Sequence, residues 1–195
     1  MIRLLFVRHG ATEGNLQKRY LGRTDEPLAP EGRRQIQTLR RQRVSADLVF
    51  SSPMLRARES AGILFPEQKP VVVDDFREID FGIFEGKTAE ELWTTEAYQA
   101  WLATGGKGGF PQGETPESFK ARCVRAFLQT AQSVPEGKTA AFVVHGGVIM
   151  AVLEALCGEG LGFYDYHMEN GEMLRARLEN GRIQLDSARE TPHAP

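Results

Sequence analysis

The run IRLLFVRHG, residues 2–10, is apolar without alternation, Arg3 apart, until it stops at an arginine, a histidine and a glycine. A strand reads this way when helices cover both of its faces, as in a parallel sheet. AAFVVHGG, residues 140–147, repeats the pattern: apolar residues, then His145 and two glycines, opening the almost wholly apolar GVIMAVLEALC of a buried helix. Between the two lie ADLVFSSP (46–53) and PVVVDDF (70–76), read as a second and a third strand. Helices alternate with them. Residues 30–43 read as an exposed helix with Ile36 and Leu39 facing the body, and PMLRARESAGILF (53–65) as a helix opened by its proline. Residues 114–134 repeat Phe119, Cys123, Phe127, Ala131 and Val134 at the spacing of an amphipathic helix. Near the end, Leu174, Ala176 and Leu178 alternate with Arg175 and Arg177 before Asn180-Gly181, which predicts a hairpin at the sheet edge. The expected fold is α/β in three layers, α/β/α, around a mainly parallel sheet.

A chain of 195 residues, 41% of them hydrophobic, suits one folding unit over residues 1–195, at most with a small cap. Its 24 basic and 26 acidic side chains give a net charge of -2, which offers no global field to nucleic acid or an anionic membrane. Any anionic ligand has to be held by local charges. The apolar stretch at the N-terminus is much too short to span a bilayer and no small-residue cleavage site follows it, so the cytoplasm is the expected compartment. Cys123 and Cys157 are not spaced as a redox or metal motif and are expected to be reduced thiols. TGGKGGFPQGETP, residues 104–116, holds five glycines and two prolines and reads as a loop overhanging the site.

Ligands of open α/β sheets bind beyond the carboxyl ends of the strands. There the first strand delivers Arg8-His9-Gly10 and the second leads through Ser51-Ser52-Pro53 to Arg56 and Arg58. The third is followed by Glu78, and the fourth ends in His145-Gly146-Gly147. Arginine's planar fork of donors matches phosphate oxygens and stays charged, so two arginines make a clamp for a dianion. A neutral imidazole is a nucleophile toward phosphorus, and flanking arginines disfavour its protonation. Glycine after each histidine lets the backbone approach a ligand, and a helix starting at Gly146 points amides at it. A carboxylic acid can protonate the departing alkoxide and then activate water. The set fits phosphoryl transfer through a phosphohistidine.

VRHGATEGN, SSPMLRARESA, REIDFGIFEG and VVHGG, in this order from Val7 to Gly147, together resemble the histidine phosphatase superfamily. The branch in question includes cofactor-dependent phosphoglycerate mutases and α-ribazole phosphatase. The resemblance implies a phosphoglycerate mutase-like fold, with His9 as nucleophile, Arg8, Asn15, Arg56 and His145 cradling the phosphoryl group, and Glu78 as proton donor. It places Thr12, Leu21, Gly22 and Gly146 beside the substrate. Arg56 rather than Arg58 falls on the family arginine. Ala11 stands where many relatives carry glutamate or glutamine, and Ser60 where threonine is usual.

Some alternatives stay open. Asp74, Asp75, Asp80 and Glu85 lie near Glu78, and any of them could be the acid. His167 and His193 belong to no motif. The GKT triplets at 86–88 and 137–139 lack the glycine spacing of a P-loop. No metal or other cofactor is expected, because two histidines among arginines make a poor cation site. The mutases of the family are longer and carry extra basic residues over the site, whereas this chain has no adjacent arginine pair between Glu78 and His145. The expected activity is therefore a phosphatase acting on a small phosphorylated metabolite. Within the group, α-ribazole 5′-phosphate of cobalamin biosynthesis is the first specific substrate to test. A broad-specificity sugar phosphatase, a mutase and a non-catalytic phospholigand-binding module are the alternatives. A homodimer through the edge hairpin is left open.

Overall fold

The computed structural model describes residues 1–158 and 160–190, the last four of these by backbone alone. His193 lies outside them. In chain order the elements are β1 (Ile2–Arg8), α1 (Glu13–Leu16), α2 (Pro30–Arg41), β2 (Leu48–Ser51), α3 (Leu55–Leu64), β3 (Val71–Val72), α4 (Ala89–Leu92), α5 (Glu96–Ala103), α6 (Pro116–Gln132), β4 (Thr139–Val144), α7 (Gly146–Leu156), β5 (Met173–Glu179) and β6 (Arg182–Glu190). One mixed sheet has the order β3-β2-β4-β1-β5-β6. β1 to β4 run parallel, and the β5–β6 hairpin closes one edge antiparallel to β1. Among the described residues no helix is long and apolar enough to cross a membrane.

Alternation along the central strands explains the layers. Leu4 and Phe6 of β1 with Ala140, Phe142 and Val144 of β4 face α6 and α7. Leu5, Val7, Ala141 and Val143 face α2 and α3, where they meet Ile36, Leu39, Ala61 and Leu64. Both faces of β1 and β4 are therefore buried, as their unbroken apolar runs require. The hairpin turns at Asn180 and Gly181, both at positive φ (51° and 75°), the conformation that this pair adopts in tight two-residue turns.

The structure corrects three boundaries. PVVVDDF supplies only the two residues of β3, which sit at the sheet edge with Val71 and Val72 exposed, because the chain turns at once into a 3₁₀ turn at Asp74–Phe76. Pro53 does not open α3, which starts two residues later at Leu55. The long helix begins at Pro116, where Thr115 caps it by accepting from the Ser118 amide, and not at residue 114.

Residues 79–103, to which no element was assigned from sequence, form a small cap. Phe84, Leu92 and Tyr98 are its buried centre, with Tyr20, Phe81, Trp101 and Phe110 packed around them. Residues 104–115 form an irregular connection from this cap to α6.

Candidate active site

The β1–β4 register pairs Arg8 with Val144, so the next residue of each strand is a histidine at the same level. His9 and His145 are both buried, their ring centres 5.0 Å apart. His9 Nδ1 lies 2.8 Å from the Gly10 carbonyl oxygen. A carbonyl can only accept, so the proton is assigned to Nδ1 and the lone pair to Nε2. Burial, then the charges of Arg56 and Arg8, hold this imidazole well below its ordinary pKa, which keeps it neutral at pH 7.

His145 is fixed from the opposite ring nitrogen: its Nε2 is 2.7 Å from Ser52 Oγ, which also accepts from the Met54 amide at 3.3 Å. The arrangement in which Ser52 donates to Nε2 uses the hydroxyl proton and puts the ring proton on Nδ1. Burial and then Arg56 lower the pKa of His145 well below its usual value too.

Arg8 donates Nη1 to the Met168 carbonyl. Arg56, fully buried on α3, donates Nη1 to the Thr24 carbonyl at 2.7 Å and Nη2 to those of Gly22 (2.9 Å) and Leu21 (3.4 Å). Burial depresses the pKa of both arginines against nearby carboxylates, Glu78 foremost, yet a guanidinium keeps its charge. Among the described residues, three buried side-chain nitrogens find no partner within the protein: Arg8 Nε, Arg56 Nε and His145 Nδ1. Buried donors are nearly always paired, and these three all belong to one cluster.

Glu78 reaches the same place from the segment after β3. Its Oε1 accepts from the Ile79 amide (2.9 Å) and its Oε2 from the Gly147 amide (3.0 Å) at the start of α7. Burial raises its pKa, opposed by these two hydrogen bonds and then by Arg56 and Arg8. A Cβ at Gly147 would stand 2.3 Å from Glu78 Oε1, so a side chain there would push the carboxylate out of this position. Among the neighbouring carboxylates, Asp74 is exposed and pairs with Arg77, Asp75 faces Arg125, and Asp80 pairs with Arg23. Glu85 is surrounded by backbone donors. Of the five, Glu78 alone lines a cavity of about 500 Å³, whose wall includes Phe81, Phe110, Phe119, Met150 and Phe163. Gly105, Gly106 and Lys107 of the glycine-rich loop line it as well.

The other expected site residues have definite places. Thr12 and Asn15 form a capping box on α1. Asn15 Oδ1 accepts from Thr12 N, Thr12 Oγ1 and Asn170 Nδ2, so what Asn15 offers a ligand is its Nδ2 donors. Gly146 stands against Arg8, a Cβ there lying 3.4 Å from the guanidinium carbon. Leu21 and Gly22 touch Arg56 through their carbonyls. Arg58 is exposed, as is His167, which contacts Glu169. Ser52, Ser60, Gly147 and Asn170 were not singled out from sequence as site residues. Ser60 Oγ donates to the Arg56 carbonyl and accepts from the Gly10 amide, and Asn170 Nδ2 donates to the His9 carbonyl. Ser52 and Gly147 stand within quoted motifs and could have been found there, whereas no residue-type signal marks Asn170.

Residues 4–191 match the model of the histidine phosphatase superfamily (branch 1). The chain belongs to this superfamily. The Bacillus subtilis protein named uncharacterized phosphatase PhoE is 31% identical over 184 residues, 92% of this chain and 88% of its own. The α-ribazole phosphatase structure from Shigella flexneri superposes with a TM-score of 0.81 at 25% identity, covering 94% of both chains. A phosphoglycerate mutase structure from Thermus thermophilus gives 0.71 at 31% identity, with 93% and 96% covered. Histidine phosphatases thus include phosphatases and mutases over this one fold, and the chain shares its architecture with both.

Proposed function

We propose that this protein is a phosphomonoester hydrolase working through a phosphohistidine at His9. The observation that carries the reading is the trio of unpaired buried donors, Arg8 Nε, Arg56 Nε and His145 Nδ1, gathered about a neutral histidine. A phosphoryl group supplies the acceptor oxygens that these donors lack. His9 Nε2 attacks phosphorus as the P–O bond to the leaving group breaks, and Glu78 in its protonated form, which burial favours, gives its proton to the departing oxygen. In the second half water attacks the phosphohistidine, Glu78 takes up a water proton, and the P–N bond breaks to release phosphate. The arginines and His145 hold the equatorial oxygens through both halves. The charge is met by guanidinium groups, so activity is expected to survive chelation; loss in EDTA that one divalent ion restores would contradict this.

The aromatic lining beside Glu78 supports a leaving group with an apolar body. α-Ribazole 5′-phosphate has one, and it remains the first specific candidate. Phosphoglycerate would have to place its carboxylate at Lys107, because the other lysine at this cavity, Lys120, is held by Glu154 at 2.6 Å and lies over the Phe163 ring. The test is phosphate release over a panel that includes α-ribazole 5′-phosphate and 3-phosphoglycerate, with His9→Ala as control and acid-quenched protein assayed for phosphohistidine. Release that depends on His9 supports the hydrolase. Return of the phosphoryl group to a second hydroxyl without release would make the protein a mutase, and neither trapped intermediate nor release would leave binding alone.

A further inference from the structure

The carboxylate of Glu85 lies in the same motif as Glu78 but gathers hydrogen bonds from a different segment. Its Oε1 accepts from the amides of Gly22 (2.9 Å), Arg23 (2.8 Å) and Phe81 (3.3 Å). Its Oε2 accepts from Thr24 Oγ1 (2.8 Å) and the Thr24 amide (3.4 Å). The loop 21–24 is thus folded around one side chain. The opposite side of the same loop holds Arg56, through the carbonyls of Leu21, Gly22 and Thr24.

The two sets of bonds share peptide units. In a planar trans peptide the N–H and C=O point in opposite directions. The unit joining Leu21 to Gly22 gives its N–H to Glu85 and its C=O to Arg56 Nη2. The unit joining Gly22 to Arg23 does the same. Turning either amide away from Glu85 turns the matching carbonyl away from Arg56. Gly22 is packed closely against the segment after Glu78, where a Cβ would meet the Ile79 carbonyl oxygen at 1.8 Å. Tyr20 and Gly86 fasten the two segments together by a further backbone bond of 2.8 Å.

We infer that Glu85 is a positioning residue for the phosphoryl clamp: through two peptide units it fixes the guanidinium plane of Arg56, and with it the direction of the unpaired Nε–H. This role rests on reading Arg56 as a phosphate ligand. It also removes Glu85 from the candidate acids, because its oxygens are taken by five donors.

The test is a double-mutant cycle on inorganic phosphate binding, read by titration calorimetry, with Glu85→Gln, Arg56→Ala and the pair. Glu85→Gln keeps the shape and one acceptor oxygen but turns the other into a donor facing Thr24. It is expected to weaken phosphate binding roughly ten- to hundredfold in the wild-type background and less than about twofold in the Arg56→Ala background. With a turned-over substrate, KM rises more than kcat falls. Thr24→Val, which removes only the hydroxyl donor, gives a smaller loss in the same direction and serves if Glu85→Gln does not fold. An unchanged phosphate affinity in Glu85→Gln, or in Thr24→Val if that is the variant that folds, overturns the inference. So does an equal loss in both backgrounds, and so does wild-type protein that binds no phosphate. Absence of phosphohistidine overturns the hydrolase reading instead and leaves the binding cycle intact.

Discussion

The two sides of the cleft are built by opposite means. On the proposed phosphoryl side His9, His145 and Arg56 hang from strand ends or from α3, are buried, and are held by named hydrogen bonds: Gly10 on His9, Ser52 on His145, three carbonyls on Arg56. On the leaving-group side the wall is aromatic and comes from the cap, the glycine-rich loop, α6 and the segment after α7, with Glu78 standing between the two halves. On the proposed reading chemistry is placed at the sheet, and selectivity on the segments around it, where loops commonly vary.

Substitutions can break that division at chosen points. The largest effect belongs to the phosphoryl side: His9→Ala lowers kcat by roughly 10⁴-fold or more for every phosphomonoester alike, measured by steady-state phosphate release. Glu78→Gln, at the boundary, lowers kcat by roughly 10²–10⁴-fold for alkyl phosphates and far less for a nitrophenyl ester, whose leaving group needs no proton. Equal losses for both would remove Glu78 from the role of acid. The same variant also sharpens the pH profile. In the wild type, kcat/KM for an alkyl phosphate falls as pH rises through the raised pKa of Glu78, and this limb disappears in Glu78→Gln.

Ser52→Ala frees the tautomer of His145 and lowers kcat by about five- to tenfold, as loss of one hydrogen bond worth about 1 kcal/mol allows. Phe163→Ala opens the aromatic wall and removes the ring that lies under Lys120. It raises KM roughly three- to tenfold for aromatic-bodied substrates, leaves kcat nearly unchanged, and spares small polar esters. If it lowered kcat for all substrates equally, the two sides would not be separable. The pH dependence of stability also reports on the phosphoryl side. Both histidines have folded-state pKa values depressed below 6.5, so their contribution is complete above that pH and is lost as pH falls toward the lowered values. Tm is expected to fall below about pH 6.5, and less steeply in His145→Asn.

The same division decides what could be read from the sequence. Arg8, His9 and His145 are legible because a short apolar run that stops at a charged or titratable residue followed by glycine reads as a buried strand delivering it. Arg56 was legible from its motif once the strand before it was placed. The cap was not, because Tyr20, Phe81, Phe84, Tyr98, Trp101 and Phe110 come from separate short segments with no common period and become a cluster only in three dimensions. Glu78 and Glu85 are the same residue type seven positions apart. Burial beside a cavity separates one from the other, and no residue identity records it. Leu21 and Gly22 act on Arg56 through backbone carbonyls, so their side chains give no sign of it. β3 was overestimated because VVV carries the composition of a strand, while its place at the edge leaves it one partner.

The parallel pairing of β1 with β4 also sets a timetable for synthesis. β1 leaves the ribosome well before its neighbours in the sheet, β4 and β5, and Arg3 pairs with Thr139. Until that distant segment has emerged, the strand bearing His9 has no edge to join, and loop closure over such a separation is slow. A chain interrupted anywhere before β4 therefore carries His9 without the strand it pairs beside and without His145, and on the proposed reading the site is complete only once β4 and the start of α7 have emerged.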